Sequence, residues 1–243
     1  MTADLHGRWA YYQWLAEQNV DLIVIAGDLI NNLAIDESEI ILATHALAGF
    51  RSPVAVCSGN HDHPNCWFPI LEHAGVLSDG QSKVIGNLLV TSLPFEEEEN
   101  GSNDLILHEG RKRVGQHTWI VINHDPPFGT QVGGPLVSTR ILRQIRHYRP
   151  DYLVSGHWHD QPYKGSWYCA VGPTICFNAG QPEKAMTKRP NCIYLDTSTR
   201  QLVWINTSMI GSASVKLKLD QFSNPKKYSA RFRRVNRSNL YEH

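Results

Sequence analysis

Seven residues of the kinds that bind cations stand at the ends of apolar runs in this chain. Asp4 and His6 follow Met1-Thr2-Ala3. Asp28 follows the run 21–26 and a glycine. Asn60 follows Val54-Ala55-Val56-Cys57 and a Ser-Gly turn, and it is succeeded by His61 and Asp62. His124 follows 118–122, and His157 and His159 follow 151–155 and a glycine. One polar strand end is a loop. Five of them, all carrying Asp, Asn or His in these positions and none carrying Lys or Arg, describe a cation site. Carboxylate, imidazole and amide oxygen suit Mn²⁺, Fe, Zn²⁺ or Mg²⁺, and no cysteine competes among them. Seven ligands exceed what one ion usually takes from protein. Two ions sharing a carboxylate fit the count better, at the roughly 3.5–4 Å separation of binuclear sites.

Such an array needs strands that stop at one edge, which is where open α/β sheets place their ligands. The continuous apolar runs 21–26, 54–57, 118–122 and 151–155 predict buried strands. Trp9, Tyr12, Leu15 and Ala16 recur at helical spacing and predict a helix over 8–19. Further helices are predicted over 36–50, 67–73, 105–116 and 133–148. Gly86-Asn87 between apolar runs predicts a hairpin over 83–93, and 96–103 reads as an acidic loop. Beyond His159 the texture predicts antiparallel strands within 169–177, 192–195 and 202–205, with a last strand over 214–219. The expected organisation is one domain over 1–211 and a basic, loosely ordered tail over 212–243.

Hydrophobic residues make up 42% of the chain and charged residues 19%, enough to bury a sizeable core. No apolar run approaches the roughly 18–20 residues that span a bilayer, so no membrane contact is expected. Five cysteines, odd in number and without Cys-x-x-Cys spacing, argue against a disulfide framework or a zinc ribbon. With no secretion signal, a reducing cytoplasm is the expected compartment. The formal net charge is zero, yet residues 201–243 hold eight Lys or Arg against two acids. A solvated terminus and a grip on a nucleic-acid backbone both account for that excess.

The series Asp4-x-His6, Gly27-Asp28-x-x-Asn31, Gly59-Asn60-His61-Asp62, His124 and Gly156-His157-x-His159 resembles the calcineurin-like metallophosphoesterase family. All five motifs stand in the family's order over residues 4–159. The resemblance implies an α/β fold, a two-sheet β-sandwich flanked by helices (α/β/β/α). It also implies that Asp4, His6, Asp28 and His159 hold one ion, that Asp28, Asn60, His124 and His157 hold the other, and that Asp28 bridges them. A water between two such ions has its pKa lowered toward neutrality and becomes a hydroxide nucleophile. His61 is then the candidate proton donor to the leaving oxygen, and Asp62 is placed to orient it. His63 and Trp158 stand near the mouth, where substrate contact and simple packing are both open. Family members normally carry a full strand before the Asp-x-His motif. Here three residues precede it, which predicts either a very short strand or a start further upstream.

The expected function is that of a binuclear metal-dependent phosphoesterase with two divalent ions, Mn, Fe or Zn. Its substrate would be a small-molecule phosphodiester or phosphomonoester, and no obligatory protein partner is expected. One alternative is a nuclease of the same chemistry that uses the basic tail. Another is a non-catalytic scaffold with this fold, as in the retromer subunit. A scaffold should have lost ligands, and here every motif position is filled.

Overall fold

The computed structural model describes residues 1–31, 37–95, 102–133, 139–181, 187–207 and 213–218. The apolar runs form the centre of the molecule. Strands β1 (Ile23–Ala26) and β2 (Val54–Cys57) pair in parallel and are buried throughout. Successive side chains of a strand point to opposite faces, and both faces here are apolar. Ile23, Ile25, Val54 and Val56 pack against helices α1 (Trp9–Ala16), α2 (Glu37–Ala48) and α3 (Phe68–His73). Val24, Ala26, Ala55 and Cys57 face the other way, into a core shared with a second sheet.

That second sheet has six strands. Its members are β3 (Ser82–Ile85), β4 (Leu88–Ser92), β5 (Thr118–Ile122), β6 (Tyr152–Ser155), β7 (Tyr168–Val171) and β8 (Thr174–Asn178), in the order β3-β4-β5-β6-β8-β7. Strands β4, β5, β6 and β8 run parallel, while β3 and β7 pair antiparallel at the two edges. Val90, Ile120, Ile122, Val154 and Phe177 fill the space between the sheets. Leu89, Trp119, Val121 and Leu153 point outward, against Leu107 of α4 (Ser102–Arg113) and Ile141 and Ile145 of α5 (Thr139–Tyr148). Each such fully buried side chain contributes about 1.5–3 kcal/mol by leaving water. The layers are therefore helix, sheet, sheet, helix.

Residues 1–3 complete the smaller sheet. Thr2 donates its N–H to Val24 and accepts from Ala26, both at 2.9 Å, while Met1 and Ile193 exchange a pair of bonds at 2.8 Å. Met1 and Thr2 thus join β1 to the antiparallel strands β9 (Cys192–Asp196), β10 (Gln201–Asn206) and β11 (Ala213–Lys218). Thr2 forms a parallel bridge to Ile25, so extended chain leads into Asp4. The hairpin about Gly86-Asn87 is present as β3–β4.

Other elements differ from the sequence reading. The first helix is shorter than 8–19, and a four-residue helix α6 (Gln161–Lys164) has no counterpart in it. The stretch 169–177 is an antiparallel hairpin as the texture predicts, but its second strand, β8, also joins β6 in parallel, so the hairpin belongs to the six-stranded sheet. Most of the predicted acidic loop and the opening of the helix predicted over 133–148 lie outside the described residues. So does the tail beyond 218, whereas 213–218 pairs with β10. Among the described residues, no helix is long and apolar enough to cross a membrane.

Candidate metal centre

Because residues 1–3, β1, β2, β5 and β6 run in one direction, their carboxyl ends meet at one edge of the sandwich. They deliver Asp4 and His6, Asp28, Asn60, His124, and His157 and His159 to that edge. Two glycines let the strand ends close. A Cβ on Gly59 would lie 2.2 Å from Asp28 Oδ1, and one on Gly27 would lie 2.3 Å from His124 Nδ1. Four of the delivered residues, Asp4, His6, Asp28 and His157, hold left-handed backbone with φ between 46° and 65°. Such conformations cost about 1–3 kcal/mol for most residues and gather at functional sites, where the surrounding structure enforces them.

The side chains form two groups that meet at Asp28. In the first, ligand atoms of Asp4, His6, Asp28 and His159 all lie within 4.8 Å of one another. His6 Nε2 is 3.1 Å from His159 Nε2 and 3.7 Å from Asp28 Oδ2, and His159 Nε2 is 3.5 Å from Asp4 Oδ1. In the second, His124 Nε2 is 3.3 Å from the same Asp28 Oδ2, 3.1 Å from Asn60 Oδ1 and 3.2 Å from His157 Nδ1. His157 Nδ1 lies 2.8 Å from Asn60 Oδ1. One carboxylate oxygen thus faces both groups. Asp28 Oδ1 accepts the His61 backbone N–H at 2.9 Å, which fixes the carboxylate plane.

The protonation chemistry fits cations. His124 Nδ1 lies 2.8 Å from the Ala26 carbonyl and must donate to it, so a neutral His124 aims a lone pair at two other acceptors, Asp28 Oδ2 and Asn60 Oδ1. Acceptors packed this closely repel unless a proton or a cation lies among them. Without a cation a proton takes that place. Burial pushes His124 down, but Asp28 and Asp4 outweigh it and hold the imidazole up to about 10. Burial pushes His6 down to about 4 against the pull of Asp28 and Asp4, and burial with His124 also lowers His157. Burial alone would raise Asp4 and Asp28; the histidines reverse this and keep both below the usual carboxylate range. Asp4 Oδ2 is buried with no hydrogen-bond partner among the described residues. An anionic oxygen left this way costs several kcal/mol unless a cation meets it.

His61 stands beside the first group, its ring edge-on to His6 with centroids 4.6 Å apart, and it is not among the converging ligand atoms. Asp62 does something other than orient the His61 ring. Its oxygens accept the N–H groups of Leu29 at 2.9 Å, Ile30 at 3.1 Å and Gly59 at 2.9 Å. Nδ1 of His61 has no partner among the described residues. Asp62 therefore ties the Asn60 turn to the loop that follows Asp28. Burial and Asp28 push its carboxyl up to about 8, against those three N–H groups.

Two residues near the centre escaped the sequence reading. Phe95 places its ring 5.9 Å from that of His124 and 6.4 Å from that of His157. It lies three residues past β4, a strand end whose apolar residue gave no ligand signal. Asn178, the last residue of β8, donates to the carbonyls of Gly156 at 3.2 Å and Trp158 at 3.1 Å and so holds the turn that carries His157. A polar residue closing an apolar run was its available signal. Trp158 is half-buried with its ring 6.3 Å from that of His157, and His63 is exposed.

The Thermus thermophilus protein TT1561 superposes with a TM-score of 0.60 at 13% identity, covering 87% of this chain and 96% of its own. GAP50 of Plasmodium, described as the anchor in the inner membrane complex, superposes with a TM-score of 0.51 at 10% identity, covering 89% and 87%. At such identities these likenesses concern the fold alone. No curated protein sequence matches. The sequence model of the calcineurin-like phosphoesterases matches residues 1–161, the span that contains all seven candidate ligands. The chain belongs to the calcineurin-like phosphoesterase family.

Proposed function

We propose that the chain is a binuclear metal-dependent phosphoesterase that hydrolyses a small phosphodiester or phosphomonoester. The observation that carries this reading is the position of Asp28 Oδ2, 3.7 Å from His6 Nε2 and 3.3 Å from His124 Nε2, between two groups of converging acceptors. Asp4, His6, Asp28 and His159 would hold one divalent ion, and Asp28, Asn60, His124 and His157 the other, with Mn²⁺, Fe and Zn²⁺ the best-suited metals. Bound there, the ions supply an activated water and electrophilic stabilisation of the phosphoryl oxygens.

The chain's own groups supply the rest. Asp28 offsets the repulsion between two cations, and neutral Asn60 adds an oxygen without quenching their charge. His61, beside the ligands but outside them, is positioned to hold a proton for the departing ester oxygen. Asp62 keeps Asn60 and Asp28 in register through the backbone. A non-catalytic scaffold would have no need of seven retained ligand positions, or of a buried Asp4 oxygen without a donor.

Metal analysis of the purified protein, followed by hydrolysis of a chromogenic phosphodiester with and without chelator, tests the proposal. Two ions per chain and chelator-sensitive turnover are expected. Metal-free protein with no turnover after Mn²⁺, Fe²⁺ or Zn²⁺ loading would refute it.

A further inference from the structure

Asn60 lies on a single 3-10 turn, Asn60–Asp62, entered by the bond from the Asp62 N–H to the Gly59 carbonyl at 3.1 Å. Asp62 braces one side of this turn. The other side is gripped by Asp79. The segment before Asp79 runs beside β2, with Leu77 bridged to Ala55, so Asp79 too comes at the end of an extended stretch on the ligand edge. Its Oδ1 accepts the Ser58 N–H at 2.8 Å and its Oδ2 accepts from the Asn65 side-chain amide at 3.0 Å. The same amide reaches Ser58 Oγ at 3.4 Å, and that hydroxyl accepts the Phe95 N–H at 2.9 Å. Asp79 therefore holds the chain two residues before Asn60 and five residues after it.

We infer that Asp79 is a positioning residue for the Asn60–His124–His157 half of the centre, acting through Ser58 and Asn65 on Asn60 and through Ser58 on Phe95. The inference rests on the binuclear reading. It deepens that reading by assigning a residue outside the family's motifs to one of the two ions. Burial pushes the Asp79 carboxyl up to about 6 against the hydrogen bonds from Ser58 and Asn65, which leaves it ionised at neutral pH and able to accept on both oxygens. Bonds to an ionised acceptor are roughly twice as strong as neutral ones. Losing a group that orients a ligand typically weakens metal binding about 10–100-fold. The first half meets the braced turn through the shared Asp28, whose Oδ1 accepts the His61 N–H, while Asp4, His6 and His159 come from other strand ends.

Calorimetric titration of the metal-free full chain with Mn²⁺ separates the possibilities. In a His6→Ala background, which leaves the Asn60-side ion, adding Asp79→Asn should weaken the remaining ion about 10–100-fold. In a His157→Ala background, which leaves the other ion, it should weaken binding far less, since only the shared Asp28 connects that ion to the braced turn. Adding Asn65→Asp to Asp79→Asn exchanges donor and acceptor and should recover most of the lost affinity. Equal weakening in both backgrounds, no weakening in either, or no recovery by the exchange would overturn the inference and leave the binuclear reading standing. A wild-type chain that binds fewer than two ions would instead overturn the reading itself.

Discussion

The His6–His159 half of the centre and the His124–His157 half share Asp28 but are held differently. His124 is fully buried and its Nδ1 is tied to the Ala26 carbonyl at 2.8 Å, which fixes both its tautomer and its ring plane. His6 is 10% exposed, its Nδ1 has no partner among the described residues, and its ring leans on His61. Asn60, on the deep side, sits on a turn braced by Asp62 and, by inference, by Asp79. One half is pre-organised by backbone and buried carboxylates. The other is the half that His61 borders. Under the proposed function, the contrast would assign ion retention to the His124 half and substrate contact to the His6 half.

The largest expected effect is on what the halves share. Asp28→Asn removes the charge that faces both groups, so both ions and turnover should be lost together. The loss should exceed the roughly 10²–10⁴-fold that attaches to a single proton donor. Normal turnover with two ions bound would break the picture of a shared bridge.

His61→Ala should keep both ions yet lose roughly 10²–10⁴-fold on alkyl esters, where the leaving oxygen needs a proton. The loss should shrink for a nitrophenyl ester. An equal loss on both would make His61 an electrostatic stabiliser of the phosphoryl oxygens, and loss of an ion would make it a ligand.

The difference between the halves should appear as stepwise loading. Mn²⁺ should fill the His124 side first, with the second ion about 10–100-fold weaker, because His124 Nδ1 is fixed from behind by the Ala26 carbonyl whereas His6 Nδ1 has no partner among the described residues. A single binding step, or the first ion surviving His124→Ala, would reverse the assignment. The same histidine sets the pH dependence. Without a cation its imidazole is held up to about 10, above its ordinary value, so near neutral pH it must release a proton when a cation binds. Affinity at this side should therefore rise with pH, by about tenfold per unit between roughly pH 6 and 9. His6, pushed down to about 4, is already neutral there and adds no such slope. A pH-independent affinity on the His124 side would contradict the protonation described for the centre.

The smallest effect is expected from truncation after Lys218. Both halves are assembled from residues 4–159, and β11 remains paired with β10. Turnover of a small chromogenic diester should stay within about twofold, as for surface changes away from a site. Loss of nucleic-acid cleavage alone, in a salt-sensitive way, would favour the nuclease alternative.

Sequence by itself determined the strand runs and the polar residues that end them, because a strand buried on both faces must be continuously apolar and a polar interruption shows where burial stops. It also carried the order of motifs from Asp4 to His159 that marks the family. What only the tertiary structure decided is which groups touch. Asp62 neighbours His61 in sequence, yet its carboxylate closes on the N–H groups of Leu29, Ile30 and Gly59. Asp79 and Phe95 belong to the surroundings of the centre through contacts that no local pattern encodes, and Asn178 closes an apolar run that does not reveal which turn it holds. β8 forms the expected antiparallel hairpin with β7 and yet lies parallel to β6, because pairing is settled by which sheet edge is free when the chain returns. Local sequence sets where a strand ends and what it ends in, whereas hydrogen bonds between residues far apart in the chain set the angle at which each ligand arrives.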